Sequence, residues 1–307
     1  MSYAWHGICR GLKTRYLLTL MKFNGDRSNW DSTHLKSVTN HPPETASGTR
    51  RATPFAANVI EHQTSIPTAL TLMFAPGTRP DANALLRLAE KPVETTKFAI
   101  SHLPDLEEGW LELISMGLTF DVSGLMPFEP APALLAEHMF GLESVTLEAN
   151  LEALRIVPGP HLSGGRMLLP IIRVLAGLGA ELARLPGLRA VGWDAAHSWM
   201  APAWFMSSIR AWLVGGTFPA LGLTALSQRD SGAFQSEGLS LFTGYEVLVE
   251  PVSGEEPQDT AKLAARAIHV LAQSGTKGLE AITDGKGRGI FHDDQQGLSL
   301  LRLWRKS

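Results

Sequence analysis

Ser236-Glu237-Gly238-Leu239-Ser240-Leu241-Phe242-Thr243-Gly244-Tyr245-Glu246-Val247-Leu248-Val249-Glu250-Pro251 closes the Trp-rich middle of a 307-residue chain, and its reading decides the fold. Trp193, Trp199, Trp204 and Trp212 precede it, a density of large aromatics expected where an interior is assembled. The alternation of residues 238–249 predicts one long strand, reached through a strand-like run at 218–226 and a polar hairpin loop at 227–236. Upstream, residues 203–214 read as a helix that stops at Gly215-Gly216, where left-handed backbone carries no Cβ penalty. Residues 189–193 read as a short buried strand.

Working outward, residues 163–185 have the apolar spacing of the strongest helix, with Ser163 as its N-cap and Pro170 in its first turn or two. Before it come a strand at 68–74, a helix at 82–90 capped by Asp81, strands at 95–100 and 110–116, a run at 117–122 that either extends the latter or forms its hairpin partner, a short helix at 130–140 and a strand at 145–148. After the aromatic region come a helix at 258–273, a flexible turn at 284–289 and a strand at 298–304. This β-α-β-β-α-β rhythm predicts an α+β fold, mostly antiparallel in its sheets, with helices packed on one face. Gly, Leu, Glu and Pro recur at matching offsets in 117–130 and 238–251, so two related β-α-β-β modules, 65–155 and 156–307, are an alternative to a single domain over 65–307.

Residues 1–64 differ in kind. They carry eight Lys and Arg against four Asp and Glu, and from Asn24 to Arg51 they lack any apolar period. Such a segment buries too little surface to offset its ordering entropy and reads as a disordered basic extension. The whole chain has a formal charge of -3, which argues against a nucleic-acid partner, since phosphate binding needs clustered Lys and Arg. Cys9 is the single cysteine, so no intrachain disulfide or cysteine zinc cluster forms and a reducing cytoplasm is expected. The run 16–21 is too short for a signal segment, and no stretch approaches a membrane span.

Ala190-Val191-Gly192-Trp193, the Gly215–Leu223 segment, Thr243-Gly244-Tyr245-Glu246 and Asp284-Gly285 together resemble an uncharacterised bacterial domain-of-unknown-function family. Its members have a Val-x-Trp strand, a Thr-Gly-x-Glu strand and a terminal helix-strand unit. The resemblance covers about residues 66–304 and implies a fold; it carries no activity and no catalytic residue.

Three places hold candidate chemistry. Ser163, Gly164, Gly165 and Arg166, at the expected helix start, offer backbone N–H groups, a helix dipole and a guanidinium to an anion, with His161 beside them. Asp194 and His197 follow the buried strand and supply a carboxylate near an imidazole, as a general acid–base pair requires. His292-Asp293-Asp294 reads as a solvated turn, and Glu237 and Glu246 fall on opposite faces of the expected long strand, so no metal site and no cofactor is assigned. The resulting expectation is a soluble, non-enzymatic binding or protein-interaction module acting on a protein partner or as a homodimer. The alternative is a hydrolase or anionic-ligand enzyme, which requires His161, Arg166 and His197 to converge on one pocket.

Overall fold

The computed structural model describes residues 5–9, 17–20, 68–142, 150–295 and 299–305, the first two segments and residues 294–295 by backbone alone. Its strands are β1 (Trp5–Cys9), β2 (Leu17–Leu20), β3 (Leu70–Phe74), β4 (Ala99–His102), β5 (Trp110–Ser115), β6 (Leu118–Ser123), β7 (His138–Phe140), β8 (Glu152–Pro158), β9 (Leu188–Trp193), β10 (Ser198–Met200), β11 (Ala225–Gln228), β12 (Phe234–Glu237), β13 (Glu246–Val249), β14 (Ile290–Gln295) and β15 (Leu300–Arg305). Its helices are α1 (Ala82–Ala89), α2 (Leu169–Leu182), α3 (Pro202–Leu213), α4 (Ala220–Leu223), α5 (Ser240–Thr243), α6 (Pro257–Ser274) and α7 (Thr276–Leu279). The fold is α+β, as the pattern of elements predicts.

The larger sheet runs β7-β10-β9-β3-β8-β6-β5-β4, and β1 and β2 extend it beyond β7. The smaller runs β11-β12-β13-β15-β14. Only β7–β10 and β13–β15 pair in parallel; every other described pair is antiparallel. β3 is buried along its whole length. Leu70, Leu72 and Phe74 face the main core with α2, and Met73 packs on the other side with Ala153, Ala190 and Leu142. Each fully buried Leu or Phe contributes about 1.5–3 kcal/mol relative to exposure.

The aromatic density does mark an interior. Trp193 stacks on Phe242 at 6.1 Å, and Phe242 meets Phe218 edge-on at 4.9 Å and Trp212 at 6.0 Å. These contacts join the two sheets into one core. Helix α1 begins where expected: the Asp81 carboxylate accepts from Ala84 N at 2.8 Å. Helix α3 ends at Gly215, whose φ is 94°.

Four expectations are corrected. The run 238–249 is not one strand: Gly238 and Gly244 have φ of 82° and 81°, and between them Ser240–Thr243 makes a helical turn, leaving only Glu246–Val249 in β13. The Glu246 carboxylate enforces this, accepting from Ser240 N (3.0 Å) and Ser240 Oγ (2.7 Å) and from the Ser236 hydroxyl. Within 218–226, Ala220–Leu223 form the short, kinked α4 and only Ala225 and Leu226 are strand, the start of β11; the expected loop at 227–236 is largely the β11–β12 hairpin around Arg229–Ala233. Residues 130–140 are not helical; Pro130 and Pro132 disfavour helix in the residues before them, Ala131 N instead reaches Ala153 O, and His138–Phe140 pairs as β7. Helix α2 starts at Leu169 with Pro170 in its first turn, so Ser163 does not cap it.

The expected strand at 145–148 lies outside the described residues, as does most of the 1–64 extension, of which Trp5–Cys9 and Leu17–Leu20 form an antiparallel pair. The recurrence between 117–130 and 238–251 takes two conformations: Leu118–Ser123 is β6, whereas Ser240–Thr243 is helical. No helix among the described residues is long and apolar enough to cross a membrane.

Candidate functional site

The four residues Asp194–His197 close the hairpin between β9 and β10, and His197 takes φ of 45° to turn the chain. Its carbonyl accepts both Glu137 N (2.8 Å) and His138 N (3.1 Å), which locks the start of β7 against this turn. From the smaller sheet, the end of β12 arrives at the same place. Gly238 lets it do so: a Cβ there would stand 2.9 Å from Ala195 O.

Glu237 sits at the centre of this seam. Its Oε2 lies 3.3 Å from His138 Nε2 and 4.0 Å from His197 Nδ1. Its Oε1 accepts from the Ser227 hydroxyl and lies 3.9 Å from Arg229. Burial pushes the Glu237 carboxyl up, but the hydrogen bonds from His138 and Ser227 and the charges of His138 and Arg229 outweigh it and hold the group below its ordinary value. His138 is buried, Glu237 half-buried, His197 half-exposed and Glu137 exposed. The ligand atoms of Glu137, His138 and Glu237 all lie within 4.8 Å of one another.

Asp194 and His197 remain near enough to interact, but each has a nearer partner. Arg155 reaches the Asp194 carboxylate at 2.7 Å and the Thr71 hydroxyl donates to it at 3.1 Å. Burial raises the Asp194 carboxyl above its ordinary value against the pull of Arg155, Thr71 and His197. His197 Nδ1 also lies 4.0 Å from Glu237 Oε2.

Farther along, the face of the large sheet away from its helices carries a polar row. Glu112 and Asp121 stand directly opposite on β5 and β6, and His102 opposes Glu112 from β4. Ser101 donates to Glu112 at 2.6 Å, and His161 shares a 2.9 Å hydrogen bond with Thr119. Ser101 lowers the Glu112 pKa most, while burial and then the Glu112 charge raise that of Asp121. Among the described residues no Lys or Arg pairs with either carboxylate.

His161, in the Pro160–Leu162 turn, is thus held against Thr119 of β6, whereas His197 lies between β9 and β10. Three to four strand spacings separate them, roughly 14–19 Å. Ser163, Gly164, Gly165 and Arg166 form the turns between the Pro160–Leu162 single turn and α2, not a helix N-terminus. Ser163 and His197 are therefore kept apart. His292-Asp293-Asp294 lies in β14 rather than in a turn.

Sequence reasoning passed over Glu137 and His138 and discounted Glu237. His138 fell in an expected helix and Glu237 at the head of an expected long strand, and 99 positions separate the two. No local pattern links residues so far apart. Thr243-Gly244-Tyr245-Glu246 turns out structural, its glutamate holding α5 and its threonine donating to Tyr245 O at 2.9 Å. Comparison with protein-family models, with curated proteins and with solved structures returns no match to this chain.

Proposed function

We propose that this protein is a non-enzymatic interaction module that adds a basic partner strand to the open edge of its large sheet. The observation that carries this reading is the adjacency of Glu112 and Asp121 on the polar row beside β4, two carboxylates that among the described residues meet no Lys or Arg and have only the imidazoles of His102 and His161 acting on them. Carboxylates placed in this way can pair with Lys or Arg from outside. β4 ends the strand order and is largely exposed, so its outer backbone groups are a template for strand addition. Main-chain hydrogen bonds would supply affinity and the acidic row selectivity.

A hydrolase at Ser163–Arg166 is less well supported, because His161 bonds to Thr119 of β6 while His197 lies beside Glu237 at the seam. The single Cys9 favours a reducing cytoplasm as the setting. Fluorescence anisotropy with short synthetic peptides of alternating polarity tests the reading. A lysine-rich peptide is expected to bind more tightly than a glutamate-rich one and to weaken with salt. Its affinity should fall in Glu112→Gln/Asp121→Asn and vanish when its backbone is N-methylated. Equal binding of the acidic and basic peptides, or indifference to N-methylation, would refute strand addition at this edge.

A further inference from the structure

The seam between the sheets points to a second, separate property. We infer that Glu137, His138 and Glu237, with His197 as a fourth ligand, bind a divalent transition metal of the Zn2+ class. The inference is independent of the partner strand, which uses the opposite end of the large sheet.

Zinc takes imidazole nitrogen and carboxylate oxygen at about 2.0–2.2 Å in tetrahedral array, which sets neighbouring ligand atoms roughly 3.4 Å apart. The His138 Nε2–Glu237 Oε2 separation of 3.3 Å matches such an edge. His197 Nδ1 lies 4.0 Å from the same oxygen, outside the group of three, and its half-exposed side chain would rotate to reach the ion. Glu137 is exposed at the rim and free to swing its carboxylate inward within the 4.8 Å spread of the group.

The surroundings favour a ligating role over a plain His–Glu hydrogen bond. Ser227 and Arg229 both engage Oε1 of Glu237, which leaves Oε2 directed at the two imidazoles. Outer contacts that orient a ligand in this way are a recurrent feature of metal sites. The two amide bonds to the His197 carbonyl hold the backbones of Glu137, His138 and His197 in one frame, so their side chains start from fixed positions around Glu237. Imidazole with carboxylate selects Zn2+ and its neighbours over Mg2+ and Ca2+, which prefer all-oxygen sites.

The test is isothermal titration of the full chain, freed of metal by chelation, with zinc, cobalt and calcium salts. Zn2+ should bind one per chain and raise the melting temperature, because the ion would join β7 and the β9–β10 turn to β12. Co2+ should give the intense visible absorption of a four-coordinate ion, and Ca2+ should bind far more weakly. Glu237→Gln and His197→Ala should each reduce Zn2+ affinity at least about tenfold, and Ser227→Ala, which alters only the support of Glu237, by about tenfold. Since His138 is buried and its variant could fail to fold, His197→Ala and Glu137→Gln, both at the rim, carry the decision. Absence of stoichiometric Zn2+ binding by the wild type, unchanged affinity in both rim variants, or equal affinity for Ca2+ would each overturn the site.

Discussion

Two knots of charge, one at the C-terminal corner and one at the seam, use carboxylates in opposite ways. At the corner, the Arg305 side chain is 2% exposed and its Nε lies 3.5 Å from both Glu255 and Asp284, a charge contact without hydrogen-bond geometry. Its terminal nitrogens donate to Glu250 O (3.0 Å) and Thr260 Oγ1 (3.3 Å). Arg288 and Lys286 add further cations to Glu255. The Lys286 hydrogen bond foremost holds Glu255 below its ordinary value; burial pushes Asp284 up, but Arg288 and the backbone N–H groups of Arg288 and Lys286 prevail. At the seam, imidazoles and a hydroxyl surround Glu237, with Arg229 3.9 Å away. Permanent cations close the corner electrostatically, whereas imidazoles leave the seam able to accept an ion.

The largest effect that would sharpen this contrast is expected from Arg305→Met. Removing a buried cation leaves two carboxylates poorly compensated and should cost on the order of 3 kcal/mol in urea unfolding. A loss below about 1 kcal/mol would mean that Arg288 and Lys286 hold the corner by themselves.

Next comes Glu181, a buried carboxylate that has a permanent cation. It accepts from Glu94 N (2.9 Å), from the Thr95 and Thr96 amides and from Arg184 Nη1 (2.7 Å), thereby tying residues 94–96 to α2. Burial pushes its carboxyl up, yet Arg184 and the three amides bring it below the ordinary glutamate value of 4.5. Its contribution is therefore present above pH 4.5 and is lost as pH falls through the lower folded value. Glu181→Gln should cost about 1–3 kcal/mol at neutral pH, with the gap to wild type closing on acidification.

Glu246 has no cationic partner among the described residues and should behave in the opposite sense. Burial raises its pKa above 4.5 despite bonds from Ser236 and Ser240. Its contribution is full below pH 4.5 and is lost as pH rises through the higher folded value. Glu246→Gln should stay within about 1 kcal/mol of wild type near neutrality and gain relative to it as pH rises. Parallel denaturation curves at pH 4 and pH 8 separate the two glutamates by sign alone. The smallest effect belongs to Ser163→Ala, within about 0.5 kcal/mol, because Ser163 caps no described α-helix. Asp81→Ala, which removes a real cap, should cost about 1 kcal/mol.

Much of the fold was legible where local rules act. The Asp81 cap, the Gly215 stop, Pro170 at the start of α2 and the hairpin of residues 110–122 all follow from short-range sterics and hydrogen bonding. Misreadings arose where a side chain from elsewhere overrode the pattern. Residues 238–249 alternate like a strand, yet Glu246 reaches back to Ser240 and two left-handed glycines bracket a helical turn. Of the expected site residues, Asp194 and His197 do follow the buried strand, but their nearest partners are Arg155 for the one and Glu237 for the other.

The sequence by itself determined the α+β class, the longer helices α1, α2, α3 and α6 and an aromatic interior, because periodicity and turn chemistry are properties of neighbours along the chain. Only the tertiary structure decided which polar groups meet. Glu237 finds His138 across 99 positions, and Glu112 faces Asp121 with no Lys or Arg beside them among the described residues, since strand order and the closure of one sheet on another leave no trace in local spacing.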